Sequence, residues 1–186
     1  MREINVSIIK EVVKDLCMSC NYNVDKNIRN CFLENIKVET NSMAKEIIDI
    51  YLKNQDLARE ENIPICQDTG MVILFLDIGQ EVHLVGGNIK DAINLGVAQG
   101  YKEGYLRKSI VLDPINRINT KNNTPAVIHF NIVEGNNIRI RLLAKGFGSE
   151  NMSKLKMLKP SDGYEGIKNF ILETVKEAGP HACPPI

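Results

Sequence analysis

Ile63-Pro64-Ile65-Cys66-Gln67-Asp68-Thr69-Gly70 separates two regimes of this chain. A charged, helix-patterned segment ends there, and the apolar run Met71-Val72-Ile73-Leu74-Phe75-Leu76 begins at once. Pro64 fixes its own φ and pushes Ile63 towards extended geometry, so the helix must stop. Gly70 permits backbone angles that a side chain would forbid. Between them one thiol is followed directly by an amide, a carboxylate and a hydroxyl. Such a turn at the mouth of a strand can hold a thiolate and polar groups towards one point.

On the N-terminal side the pattern is helical. Val6, Ile9, Val13 and Leu16 recur at intervals of three and four, which describes one apolar face. A second helix is expected over Asp25 to Asn35. A third starts at Asn41 or Ser42, either a good cap, and runs through Ile47, Ile48, Tyr51 and Leu52 to Arg59 and Glu60. Its dense mixture of acids and bases reads as a solvated surface.

On the C-terminal side strands dominate. Val72 to Leu76 is a strand-length apolar run, with Glu81 to Val85 as its expected hairpin partner across Asp77-Ile78-Gly79-Gln80. Asn88 caps a helix whose buried face is Ile89, Ala92, Ile93, Val97 and Tyr101, and Gly104 stops it. Ala126 to Val133 and Ile138 to Ala144 are joined only by Glu134-Gly135-Asn136-Asn137, which makes them an antiparallel pair. A last helix, capped by Asp162 with Glu165 three residues on, runs through Ile167, Phe170, Ile171 and Val175 to Gly179. The expected class is α+β: an N-terminal helical segment, then a mostly antiparallel sheet with packed helices. Residues 1–186 are expected to form one domain, with 1–62 its helical part and 63–186 its α+β part. The chain stops directly after Ala182-Cys183-Pro184-Pro185, so truncation at the C-terminus is expected.

Composition narrows the function. In 186 residues, 23 Lys+Arg balance 23 Asp+Glu, so nothing in the charge favours nucleic acid, polyanion or membrane-surface binding. No run of about 18 apolar residues exists to span a bilayer, and the acid-bearing, amphipathic start is unlike a signal peptide. Cys17, Cys20, Cys31, Cys66 and Cys183 therefore read as thiols of a reducing cytoplasm, serving burial or metal ligation rather than disulfides.

Four polar constellations could carry chemistry. They are Cys66-Gln67-Asp68-Thr69; the loop from Arg107-Lys108-Ser109 through Arg117 to Pro125; Lys145-Gly146-Phe147-Gly148-Ser149-Glu150-Asn151; and His181-Ala182-Cys183-Pro184-Pro185. Arg107 and Arg117 suit bidentate carboxylate binding, although loop arginines more often serve surface ion pairs. The Gly-Phe-Gly loop can offer N–H groups to an anion but lacks phosphate-loop spacing. Cys17 and Cys20 form a C-x-x-C at a helix C-terminus, where a redox pair gains no lowered pKa, so burial is the expected role for them and for Cys31. His83 and His129 sit in expected strands as ordinary core or edge residues.

Taken together, these pieces are more specific than any one. Pro64 to Gly70, Leu106-Arg107-Lys108-Ser109, Asn119-Thr120 with Asn123-Thr124-Pro125-Ala126, Lys145 to Asn151, and Ala182-Cys183-Pro184-Pro185 occur in one order. That series closely resembles the iron–sulfur-dependent class I fumarate hydratase and L(+)-tartrate dehydratase family, in its alpha subunit or N-terminal domain. The resemblance runs from about Asn41 onward and is looser before that.

It implies a hydro-lyase acting on a small dicarboxylate, through a [4Fe–4S] cluster held by three cysteines with one iron open to substrate. Two of those cysteines map to Cys66 and Cys183. Cys17, Cys20 and Cys31 do not stand at the position of the third, which is expected beyond this chain; the chain alone is then expected to be inactive. By the same resemblance Gln67 and Asp68 bind substrate, Arg107 grips a carboxylate, and the backbone at Gly146 and Gly148 completes the pocket. The catalytic base belongs to a beta subunit or C-terminal domain, so no residue here is assigned that role. A homo- or hetero-oligomer is implied. The alternative from a different class is a non-catalytic zinc-binding or assembly module using Cys17, Cys20 and Cys31 with a histidine.

Overall fold

The computed structural model describes residues 1–148 and 152–179. Its elements run β1 (Arg2–Asn5), α1 (Val6–Tyr22), α2 (Lys26–Val38), α3 (Ser42–Glu61), β2 (Met71–Gly79), β3 (Val82–Val85), α4 (Ile89–Glu103), β4 (Val127–Val133), β5 (Ile138–Lys145) and α5 (Gly163–Ala178). Helix and strand are mixed as an α+β chain should mix them. Two compact units divide it, Met1–Ala144 and Lys145–Ile186.

The helix starts follow from single side chains. Asn5, Asp25, Asn41 and Asn88 each accept backbone N–H bonds from the first turn of α1, α2, α3 and α4. Asn62 ends α3 in the left-handed region, where asparagine is tolerated, and returns the chain so that Ile63 N–H bonds to the Ala58 carbonyl.

The core of the first unit lies between α1, α4 and one face of β2. Val13 and Cys17 of α1, Val72, Leu74 and Leu76 of β2, and Ile93, Val97 and Tyr101 of α4 are all essentially removed from solvent. Each large apolar side chain so buried contributes roughly 1.5–3 kcal/mol. The two helices approach closely because Gly96 and Gly100 of α4 and Gly104 at its C-cap repeat every four residues. A Cβ at Gly100 would stand 2.8 Å from the Lys14 carbonyl oxygen and 3.0 Å from Cys17 Cβ.

The strand pairing differs from the expected hairpins. β3 pairs not with β2 but in parallel with β1, Arg2 opposite Val82 and Asn5 opposite Val85. β2 pairs in parallel with β4, Ile73 opposite Val127 and Gly79 opposite Val133. The sheet order is β4-β2-β5. Gly79 N–H donates to the Asn137 carbonyl and Asp77 meets Arg141, so β5 descends against β2. β4 and β5 therefore do run in opposite senses, but β2 lies between them. The sheet is mixed, not mostly antiparallel.

The reasons are geometric. A parallel β2–β4 pair needs a long crossover, and α4 supplies it. Two strand spacings are about 10 Å, while the four residues Glu134-Gly135-Asn136-Asn137 can reach roughly 13 Å, enough to step over one strand. That step is held by Gly79 N–H to Asn137 O (2.8 Å), Gln80 N–H to Val133 O (2.8 Å) and Glu81 N–H to Gly135 O (3.0 Å). It requires glycine beneath it, since a Cβ at Gly79 would lie 2.7 Å from the Gly135 carbonyl carbon and 2.9 Å from Asn137 O.

In the second unit, α5 spans the expected residues, but Asp162 does not cap it. Its carboxylate instead accepts the Lys159 N–H at 2.8 Å and closes a short 3-10 turn over Pro160–Asp162. Ile167, Ile171 and Val175, through which the helix was expected to run, are exposed.

Candidate functional site

The Cys66 turn is fastened at both ends by uncharged groups. Ile65 N–H donates to the Asn21 carbonyl at the end of α1 (2.9 Å), and Asn54 Nδ2 on α3 donates to the Ile65 carbonyl (2.9 Å). Beyond the cysteine, Thr69 is 2% exposed and Gly70 adopts φ +66. The buried Tyr101 hydroxyl lies 2.6 Å from Thr69 O and 3.0 Å from Gly70 O. Burial pushes that phenol far above its usual pKa, so it stays a donor.

Between these anchors Cys66 is half-buried, Gln67 exposed and Asp68 half-buried. Asp68 N–H points at Cys66 Sγ (3.4 Å), and the thiol lies 3.5 Å from Gln67 Oε1. The Asp68 carboxylate accepts the Gly70 N–H at 3.2 Å. A thiolate here would keep the Asp68 donor, and a flipped Gln67 amide could supply another. An N–H donor at the sulfur is what a cluster-ligating thiolate uses, so the residues of this turn are compatible with that group.

The second constellation is tied to the first. Thr69 Oγ1 donates to the Arg107 carbonyl (2.9 Å), fixing the backbone from which the Arg107 side chain springs. That guanidinium is exposed and has no ion-pair partner among the described residues. Asn123, which is 0% exposed and in the left-handed region at φ +61, completes the link. Its Nδ2 donates to Gly70 O (3.1 Å), while its Oδ1 accepts from Ser109 N–H (2.7 Å) and Ile110 N–H (3.2 Å).

From Ile110 to Thr120 the chain folds back on itself. Leu112 N–H bonds to Ile118 O and Thr120 N–H to Ile110 O. Arg117, with φ +55, stands at the exposed tip of this excursion, away from the Asn123 rungs. Of the two candidate clamps only Arg107 is joined to the Cys66 turn.

Gly146 and Gly148 follow β5 at the start of the second unit, where Lys145 Nζ lies 5.7 Å from the Phe147 ring centroid. Cys183 and His181 lie outside the described residues.

The other cysteines diverge. Cys17 is buried in the core, Cys20 half-buried with its thiol 3.4 Å from the Cys17 carbonyl, and Cys31 exposed on α2, contrary to its expected burial. Burial raises the Cys20 thiol to about 11 and Cys17 further still. Among the described residues no three His, Cys, Asp or Glu side chains are grouped to hold a metal ion. His129 is stacked on Phe75 at 4.8 Å, and His83 is exposed on β3. Among the described residues, Cys17, Cys20 and Cys31 are therefore not gathered with a histidine as the zinc-module alternative requires. Nor is any helix, among the described residues, long and apolar enough to cross a membrane.

In the sequence Thr69 and Asn123 stand only as members of polar motifs and Tyr101 as a core residue. Their roles in holding the site are tertiary. Tyr101 is an apolar-face residue whose hydroxyl had to find a buried partner, and that was the available signal.

Comparison with known proteins gives the family of the chain. The model of the fumarate hydratase (fumerase) family matches residues 10–186. A Methanocaldococcus jannaschii protein provisionally named the alpha subunit of L(+)-tartrate dehydratase is 40% identical over 184 residues, covering 96% of this chain and 64% of that protein. The L(+)-tartrate dehydratase alpha subunit of Escherichia coli K12 is 31% identical over 152 residues, 80% of this chain and 50% of that subunit. The anaerobic class I fumarate hydratase of the same strain is 35% identical over 142 residues, 73% of this chain and 25% of that enzyme. The chain thus spans about half to two thirds of the tartrate dehydratase alpha subunits it matches.

Proposed function

The chain belongs to the fumarate hydratase (fumerase) family, and from that premise we propose that it is the alpha subunit, or corresponding N-terminal part, of an iron–sulfur hydro-lyase. The reaction is reversible removal of water from a small hydroxy-dicarboxylate, with fumarate/malate and tartrate/oxaloacetate as the candidate pairs. The observation that carries this reading is the fastened Cys66 turn, whose sulfur receives the Asp68 N–H, joined through Thr69 to the segment bearing the exposed Arg107.

On this reading Cys66 and Cys183, both within residues 63–186, are ligands of a [4Fe–4S] cluster, with a third cysteine supplied from elsewhere in the enzyme. When bound, the cluster supplies a Lewis acid for the departing hydroxyl. The chain's own residues do the rest. Asp68 N–H favours the thiolate form of Cys66. Gln67 and Asp68, flanking the cysteine, orient the substrate's polar groups. Arg107 takes a carboxylate with charge-assisted hydrogen bonds. Gly146 and Gly148 offer backbone N–H groups to the same substrate. The base that abstracts the carbon-bound proton is assigned to the beta subunit or C-terminal domain, so the working enzyme is an oligomer or a longer chain. The four free thiols among the described residues suit a reducing cytoplasm.

The test is turnover by the anaerobically purified enzyme coexpressed with its second subunit, followed by the double-bond absorbance of fumarate and by oxaloacetate formed from L-tartrate. One of the two reactions is expected. Arg107→Gln should raise KM by about tenfold or more, the loss expected for a hydrogen bond to a charged group. Turnover of neither substrate by the wild type would contradict the reading.

A further inference from the structure

The candidate site is divided between two segments that are far apart in sequence. One end, Cys66 to Asp68, is the cluster end; the other, Arg107, is a carboxylate end. A ligand with two anionic ends must meet both at once, so its affinity depends on the distance between the segments.

Two side chains fix that distance. Thr69 Oγ1 reaches from the turn to the Arg107 carbonyl at 2.9 Å. Asn123 reaches from a third segment to both, donating to Gly70 O at 3.1 Å and accepting from Ser109 and Ile110 N–H at 2.7 and 3.2 Å. Asn123 is fully buried, and its amide meets both partner segments with opposite polarity. Only a side chain carrying a donor and an acceptor on one planar group can do this. Aspartate retains the acceptor and places a second oxygen against Gly70 O, while the left-handed backbone at φ +61 remains open to it.

We propose that Asn123 is a positioning residue that sets the separation between the Cys66–Asp68 turn and Arg107, and thereby the selectivity of the site for ligands with two carboxylates over ligands with one. The proposal rests on the hydro-lyase reading above. Asn123 does not touch the substrate; it acts through Gly70 and Ser109.

The experiment compares succinate, with two carboxylates, and propionate, with one, by calorimetric titration of the cluster-loaded enzyme with its second subunit. Asn123→Asp should weaken succinate by about tenfold, as expected when a small displacement spoils a two-ended fit. It should change propionate less than about twofold and leave the cluster absorbance intact. If Asn123→Asp does not fold, Thr69→Val cuts the parallel tie and carries the same expectation. Equal losses for both ligands, or an unchanged succinate affinity, would overturn the proposal while leaving the hydro-lyase reading standing. A wild type that binds neither ligand would overturn both.

Discussion

The Tyr101 hydroxyl lies 2.6 Å from the Thr69 carbonyl oxygen, so α4 holds the Cys66 turn from inside the core. Tyr101→Phe removes that donor without changing the packing volume. Thr69 O is then left buried without its hydrogen bond, at a cost of about 1–3 kcal/mol. Denaturant unfolding should give this loss with the helical circular dichroism intact. A variant as stable as the wild type would show that water replaces the phenol.

A second prediction concerns the step of the β4–β5 connection over β2. Gly79→Ala places a Cβ against backbone, which cannot swing aside as a side chain could. The expected destabilisation is about 1–3 kcal/mol or more. Alanine at Gly135, where φ is +94 and nothing lies within 4 Å, should cost through backbone strain alone. Equal stability of Gly79→Ala and the wild type, by thermal melting, would contradict the crossing.

The thiols give a pH prediction. Cys20 is raised by burial to about 11, above the ordinary thiol value of about 8.5. The unfolded chain therefore releases this proton first as pH rises. The contribution of the neutral buried thiol is complete below about pH 8.5 and is lost as pH climbs through 11. Cys20→Ala should flatten the alkaline limb of the stability curve between those values, and Cys17, shifted the same way, should add to that limb. At pH 8 iodoacetamide should modify the exposed Cys31 quickly and leave Cys17 and Cys20 untouched until unfolding, as peptide mapping would reveal.

Much of the fold could be read from local chemistry. Asn41 and Asn88 are caps because their short amides satisfy first-turn N–H groups wherever they occur, and Gly104 stops α4 for equally local reasons. The α1 and α4 core faces followed from spacing, with Cys17 rather than the half-buried Leu16 at the end of the first. Strand partnership was not legible. β2 and β3 are near neighbours in sequence with a turn between them, yet nothing in their residues says that β1 and β4 outcompete each for the other. Gly79, placed at a strand end, was the one hint that another backbone crosses there. The four-residue repeat of Gly96, Gly100 and Gly104 was a readable sign of close helix contact. The short β1 and the exposed apolar face of α5 had no such sign.

The candidate site divides in the same way. Cys66, Gln67 and Asp68 stood out because a proline and a glycine bracket a run of reactive side chains, and Arg107 because its guanidinium suits bidentate carboxylate binding; their proposed roles came from the family resemblance. Asn123 was one of several asparagines in that loop. Its burial, and its bonds to residues 53 and 14 positions away, come from the fold alone.

Cys66 is the residue on which the proposed cluster site depends most directly. The wild-type enzyme, purified without oxygen with its second subunit, is expected to show the broad visible absorbance of a [4Fe–4S] cluster. Cys66→Ala is expected to lose that absorbance while keeping the wild-type circular dichroism. A folded Cys66→Ala protein with an unchanged visible spectrum would contradict the assignment of Cys66 as a cluster ligand, and with it the site built around the turn.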